Sequence, residues 1–145
     1  PWNAAPLWRK DGLTAWTSGL GDFYVYAPPA PKGVAVFVHG APLDPADRPR
    51  IALDLAARPV VKVFADRTGT IIAVPVFDGD RYPDFARLGG PSQAAAVFAT
   101  AVLDAVVERY GLADRRALFY GHSAGAQFVH RYSLVHPERV LRAAL

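Results

Sequence analysis

The run Tyr120-Gly121-His122-Ser123-Ala124-Gly125-Ala126 sets a serine hydroxyl between two glycines, directly after the apolar stretch Ala117-Leu118-Phe119-Tyr120. A segment of helical periodicity follows, from Ala124 to about Val135. Strand, Gly-x-Ser-x-Gly and helix, in that order, make the setting of a nucleophile elbow, where a sharp turn presents the serine oxygen for attack on an electrophile. Such a turn predicts an unfavourable φ/ψ pair at Ser123. It also explains the glycines, because a Cβ at Gly121 or Gly125 would push the helix off the strand. The plainer alternative is an ordinary strand-to-helix turn whose serine caps the helix.

A nucleophile of this kind needs donors for the charge that develops on the attacked carbonyl oxygen. The N–H of Ala124, next after the serine, is one candidate. The other comes from His39-Gly40-Ala41-Pro42, which closes the buried run Val34-Ala35-Val36-Phe37-Val38. A glycine there lets the chain turn so that the next N–H faces a crevice at the strand's carboxyl end, where α/β proteins bind ligands. Ala41 has an N–H to offer and Pro42 has none. Ala41 is therefore the second candidate donor, and Gly40 is expected beside the substrate. His39 precedes the turn and reads as structural. A third segment, Asp78-Gly79-Asp80-Arg81-Tyr82-Pro83-Asp84, follows a strand at the same end of the sheet. Its alternating aspartates lack the distal glutamate and the spacing of a helix–loop–helix calcium site. It reads as a solvated loop lining the crevice, with Asp78 on the substrate side. No metal and no cofactor is expected.

The elements that must position these residues follow from periodicity and breakers. Short strands are predicted at 14–17 and 23–26, joined through Gly19-Leu20-Gly21-Asp22, then at 34–38, 70–77, 117–120 and from about 140. Helices are predicted at 50–57, with Ile51, Leu53 and Leu55 on its apolar face, and at 59–67, with Val60, Val61 and Phe64. Pro91-Ser92 opens a longer helix through Tyr110, with Val97, Ala101, Val102, Ala105, Val106 and Tyr110 as its core stripe. Trp2, Trp8 and Trp16 read as core or edge packing rather than a sugar platform. A strand, helices and a strand imply a parallel crossover. The fold class is α/β: one domain with a mostly parallel sheet and helices on both faces.

Composition narrows the function classes. The 145 residues are 52% hydrophobic and 20% charged, enough for one domain with a real core. Net charge is +3, but Arg48, Arg50, Arg58, Arg67, Arg109, Arg115, Arg116, Arg131, Arg139 and Arg142 are scattered and read as solvated surface. That argues against a nucleic-acid face. No apolar stretch approaches the ~18 residues that a membrane span needs. The chain has no cysteine, which excludes thiol catalysis and disulfides.

With strand–His39-Gly40, strand–Pro75 and strand–Gly121-His122-Ser123-Ala124-Gly125–helix in place, the sequence resembles the α/β-hydrolase superfamily over roughly 23–145. The runs Gln127-Phe128-Val129-His130-Arg131-Tyr132 and His136-Pro137-Glu138-Arg139-Val140 are similar to the esterase and polyhydroxybutyrate-depolymerase-like branch. The resemblance implies hydrolysis of a small-molecule or polymeric ester through an acyl-serine. Ser123 would be the nucleophile, Ala41 and Ala124 the oxyanion donors, and His122 a residue lining the pocket. The family's order is serine, acid, histidine. After Ser123 this chain offers only Glu138 as a carboxylate and only His130 and His136 as imidazoles. His130 lies about 10 Å along the helix by its rise and points to the wrong end, and His136 is further still.

The acid and base are therefore expected beyond Leu145. The absence of an initial methionine, and an ending inside the apolar run Val140-Leu141-Arg142-Ala143-Ala144-Leu145, suggest that both ends are cut. On this reading 1–145 alone shows little turnover, and its last strand is an edge prone to association. The alternative is a hydrolase-fold protein without catalysis that binds a small molecule or a protein partner in the same crevice.

Overall fold

A computed structural model describes residues 3–87 and 93–145. Trp2 and the expected helix opening at Pro91-Ser92 lie outside the described residues. Seven strands form one sheet: β1 (Ala5–Lys10), β2 (Leu13–Ser18), β3 (Gly21–Tyr26), β4 (Gly33–Val38), β5 (Thr70–Pro75), β6 (Ala117–Gly121) and β7 (Val140–Ala144). Their spatial order is β1-β2-β3-β5-β4-β6-β7. The pairs β5–β4, β4–β6 and β6–β7 are parallel, whereas β1–β2, β2–β3 and β3–β5 are antiparallel.

Among the described residues, four α-helices connect and cover the sheet: α1 (Arg48–Ala57), α2 (Pro59–Thr68), α3 (Gln93–Arg109) and α4 (Ala124–Val135). Strand residues alternate between faces. Val34, Val36, Val38, Ile71 and Ala73 meet buried residues of α3 and α4, while Ala35, Ile72 and Val74 meet those of α1 and α2. Helices on both faces are thus present. None is long and apolar enough, among the described residues, to cross a membrane.

The differences from the sequence-based expectations have physical causes. Strand β1 was not expected, because Ala5–Lys10 is exposed throughout and carries no apolar period. It is an edge strand, and its pairing shifts register between Pro6 and Trp8, where a proline is tolerated. In α3 the core face is Ala95, Phe98, Ala99, Val102, Leu103, Val106 and Val107, with Val97 exposed. The segment is apolar on most sides, so its period did not fix the rotation. In α1 and α2 the small residues Ala52, Ala56 and Ala65 face the sheet with Leu55 and Val61, and Val60 points to solvent. Trp16 is core and Trp8 is partly exposed at the edge.

Candidate active site

Strands β4 and β6 are neighbours and run parallel, so their carboxyl ends bring Gly40 and Ser123 to one place. Ser123 has φ 58° and ψ −120°, a left-handed conformation that a residue with a side chain adopts at a cost of about 1–3 kcal/mol. Its side chain makes no capping bond to α4, so the capping-serine alternative does not describe it. The residue is exposed.

Two glycines make the corner possible. A Cβ on Gly125 would stand 2.7 Å from the His39 carbonyl oxygen and closer still to that of Val38. A Cβ on Gly121 would lie 2.6 Å from the Ala126 nitrogen and inside the contact radius of the Gly125 carbonyl. Helix α4 therefore rests directly on the backbone of β4 and β6. Gly40 completes the corner, since a Cβ there would lie 3.6 Å from the Ser123 Cβ and 3.5 Å from the His122 oxygen.

The loop after β4 is held by a buried histidine. His39 is 1% exposed, and its Nε2 accepts from the Phe77 N–H at 3.0 Å. A backbone N–H can only donate, so the ring proton must reside on Nδ1. There it donates to the Gly40 carbonyl at 2.7 Å. The surroundings are aromatic, with ring centroids of Phe77 and Phe85 at 5.9 and 5.4 Å. Burial lowers the His39 pKa to about 4, the bond to Gly40 opposes the shift, and the charge of Arg48 adds to it. His39 is neutral at pH 7 as a result.

This bond has a geometric consequence. The Gly40–Ala41 peptide is trans, as are the others described, and a trans peptide points its C=O and N–H in opposite directions. Fixing the Gly40 oxygen on His39 turns the Ala41 N–H away from the interior. Among the described residues no backbone carbonyl accepts from Ala41 N–H or from Ala124 N–H. The latter is the first N–H of α4, one of the orphan donors of a helix start.

The remaining candidates sit differently. His122 is exposed beside Ser123. Asp78 caps its own turn, accepting from Asp80 N–H at 3.1 Å and Arg81 N–H at 2.8 Å. It lines a hollow of about 290 Å³ with Asp22, Pro49, Val76, Asp80 and Arg81, and neither Gly40 nor Ser123 lines that hollow. The structure thus does not bring Asp78 to the nucleophile. A larger hollow of about 570 Å³ lies between the β2–β3 turn and α3, with Leu20, Phe98, Asp104 and Glu108 on its walls. Ser18 also lines it, with its hydroxyl donating to the Gly21 carbonyl at 2.9 Å inside the β2–β3 turn. His130 is exposed on α4, and His136 packs on Tyr132 and pairs with Glu138 at 3.5 Å. Among the described residues no histidine bonds to Ser123, and no group of three or more His, Asp or Glu is placed to hold a metal.

One residue here was not legible in the sequence. Arg48, read as solvated surface, is 6% exposed. It donates to three carbonyls of the segment after β5, those of Phe77 at 3.2 Å, Tyr82 at 2.9 Å and Pro83 at 3.1 Å. This also explains why β5 ends at Pro75 and not at Phe77: the Phe77 N–H and C=O have gone to His39 and Arg48 instead of a ladder. The available signal was weak. A cation in the first turn of a helix is unfavourably placed toward the helix dipole, which hints at employment elsewhere.

No protein-family model matches the chain, and no curated protein matches its sequence. Solved structures do match. A poly(aspartic acid) hydrolase-1 from Sphingomonas sp. KT-1 aligns over 97% of this chain and 53% of its own, at 21% identity and a TM-score of 0.61. An acetyl xylan esterase from Aspergillus awamori aligns over 90% of this chain and 50% of its own, at 16% identity and a TM-score of 0.67. A poly(3-hydroxybutyrate) depolymerase from Bordetella parapertussis aligns over 97% and 50%, at 20% identity and a TM-score of 0.61. The likeness shows the fold, which is that of the α/β-hydrolases. The chain spans about half the length of these structures.

Proposed function

We propose that this chain carries the nucleophile and oxyanion site of a serine hydrolase acting on carboxylic esters. The observation that carries the reading is the exposed Ser123 at φ 58°, unused as a helix cap and seated on two glycines without room for a Cβ. Strain of this kind persists where the surroundings impose it and function uses it. In the proposed reaction Ser123 Oγ attacks the ester carbonyl carbon while its proton passes to a base. The N–H groups of Ala41 and Ala124 stabilise the resulting oxyanion. The C–O bond then breaks, the alcohol leaves with the proton, and water releases the acid from the acyl-serine. Gly40 and His122 border the acyl group.

Base and acid would come from polypeptide outside these 145 residues, in keeping with the half-length span of the matched structures and the lack, among the described residues, of a histidine bonded to Ser123. The substrate class would be a small or polymeric ester, as the names of the acetyl xylan esterase and the depolymerase suggest. A fluorophosphonate probe is expected to label Ser123 in the full-length protein. Ser123→Ala should lower p-nitrophenyl ester hydrolysis by on the order of 10⁴–10⁶-fold. A full-length protein that stays unlabelled, with hydrolysis no faster than the uncatalysed reaction in both wild type and Ser123→Ala, would leave only the binding-protein alternative.

A further inference from the structure

We propose that Arg48 is a positioning residue for the oxyanion peptide, acting through Phe77 and His39 on the Gly40–Ala41 bond. The proposal rests on the reading of Ser123 and Ala41 given above. It starts from the cost of placing an arginine where Arg48 is. The residue opens α1, buried, at the end of the helix that disfavours a cation. No carboxylate among the described residues pairs with it, although Asp78 and Asp84 face it and oppose the lowering of its pKa by burial. Its Nε is buried and has no partner. A buried guanidinium in this state costs more than an apolar side chain of the same volume would. Packing alone does not account for it, even with the Phe85 ring centroid 5.3 Å from its Cζ.

What the guanidinium does is fix a relay. Arg48 holds the Phe77 oxygen, and His39 Nε2 receives the Phe77 N–H. Both backbone groups of one residue are thereby fixed, and the N–H stays aimed at the imidazole. That donor holds His39 in the tautomer with its proton on Nδ1, the only neutral form able to grip the Gly40 oxygen. The grip turns the Ala41 N–H outward. Arg48 also acts through its charge: it is the cation that faces His39, and it disfavours a second proton on the ring. An imidazolium could not accept from Phe77, and the relay would open at that link.

The test uses the full-length protein, p-nitrophenyl acetate, and the variants Arg48→Met and Arg48→Lys. With the oxyanion donor mis-aimed, kcat per folded molecule is expected to fall about tenfold or more in Arg48→Met while KM changes little, since a donor used only in the transition state affects kcat. The pH at which His39 takes up its second proton, followed by its ¹⁵N shifts, should move upward, and the spectra should lose the Nδ1-protonated signature of the wild type. Arg48→Lys keeps the charge but not the fork that reaches three carbonyls. It should keep the His39 protonation pH while still losing kcat, and it carries the comparison if Arg48→Met does not fold. A wild type labelled by the fluorophosphonate, with kcat and His39 signals unchanged in the variants, overturns the role of Arg48 alone. An unlabelled wild type overturns the Ser123 reading, and this proposal with it.

Discussion

Two neighbouring parallel strands end at the same place by opposite means. At the end of β6 the turn is made by removing matter: Gly121 and Gly125 let α4 touch the strands, and the cost appears as backbone strain at Ser123. At the end of β4 the turn is made by adding polar groups to an aromatic interior, where His39 and Arg48 tie Gly40 to Phe77. The first device is steric and independent of pH. The second is electrostatic and depends on a single imidazole staying neutral. Precision at a site can therefore rest on shape at one strand end and on protonation at the next.

The comparison can be broken at either strand. The largest effect is expected from Gly125→Ala, whose new Cβ would meet the backbone carbonyls of Val38 and His39, which have no side-chain freedom with which to yield. A loss of about 3 kcal/mol or more in urea unfolding is expected. A loss below about 1 kcal/mol would mean that the corner is looser than the glycines imply.

The second prediction concerns pH. An unfolded histidine takes up its proton below about 6.5, whereas His39 resists until about 4. The folded pKa is depressed, so this stabilisation is complete above about pH 6.5 and is lost as pH falls toward 4, to the extent of on the order of 3 kcal/mol. The check is the difference between wild type and His39→Gln in urea unfolding across that window. The two should lose stability in parallel if the imidazole contributes nothing.

The smallest effect has the opposite sign. Ser123→Gly relieves the left-handed strain and should raise stability by about 1 kcal/mol while abolishing labelling. A destabilised Ser123→Gly would show that the serine side chain contributes contacts that outweigh the strain.

These strand ends also differ in how far they could be read in advance. The strand-to-helix turn lies within the continuous run Gly121–Gly125, where local spacing carries the whole signal, and α4 spans Ala124–Val135 as its periodicity indicates. The His39–Gly40 turn was visible as a donor loop because glycine and proline mark it. The clamp behind it was not visible. Arg48 reaches Phe77, Tyr82 and Pro83, distant in sequence, and nothing in an arginine's neighbours says that its side chain turns inward. The same limit appears at β1, where an exposed edge strand has no buried face to impose alternation, and in α3, where too many apolar residues hide the one face that matters.

The sheet order carries a consequence for how the molecule assembles. β2 and β3 pair through a tight hairpin, but β6 pairs with β4, and Val34 meets Ala117 only after the whole intervening chain has been arranged. Local pairings close quickly and distant ones late, because the entropy of the closed loop must be offset before the contact stabilises anything. The bend at Ser123 thus belongs to the late phase of folding. Relieving it should slow unfolding and leave the folding rate nearly unchanged. The chain would form most of its sheet unstrained and make the bend at Ser123 last.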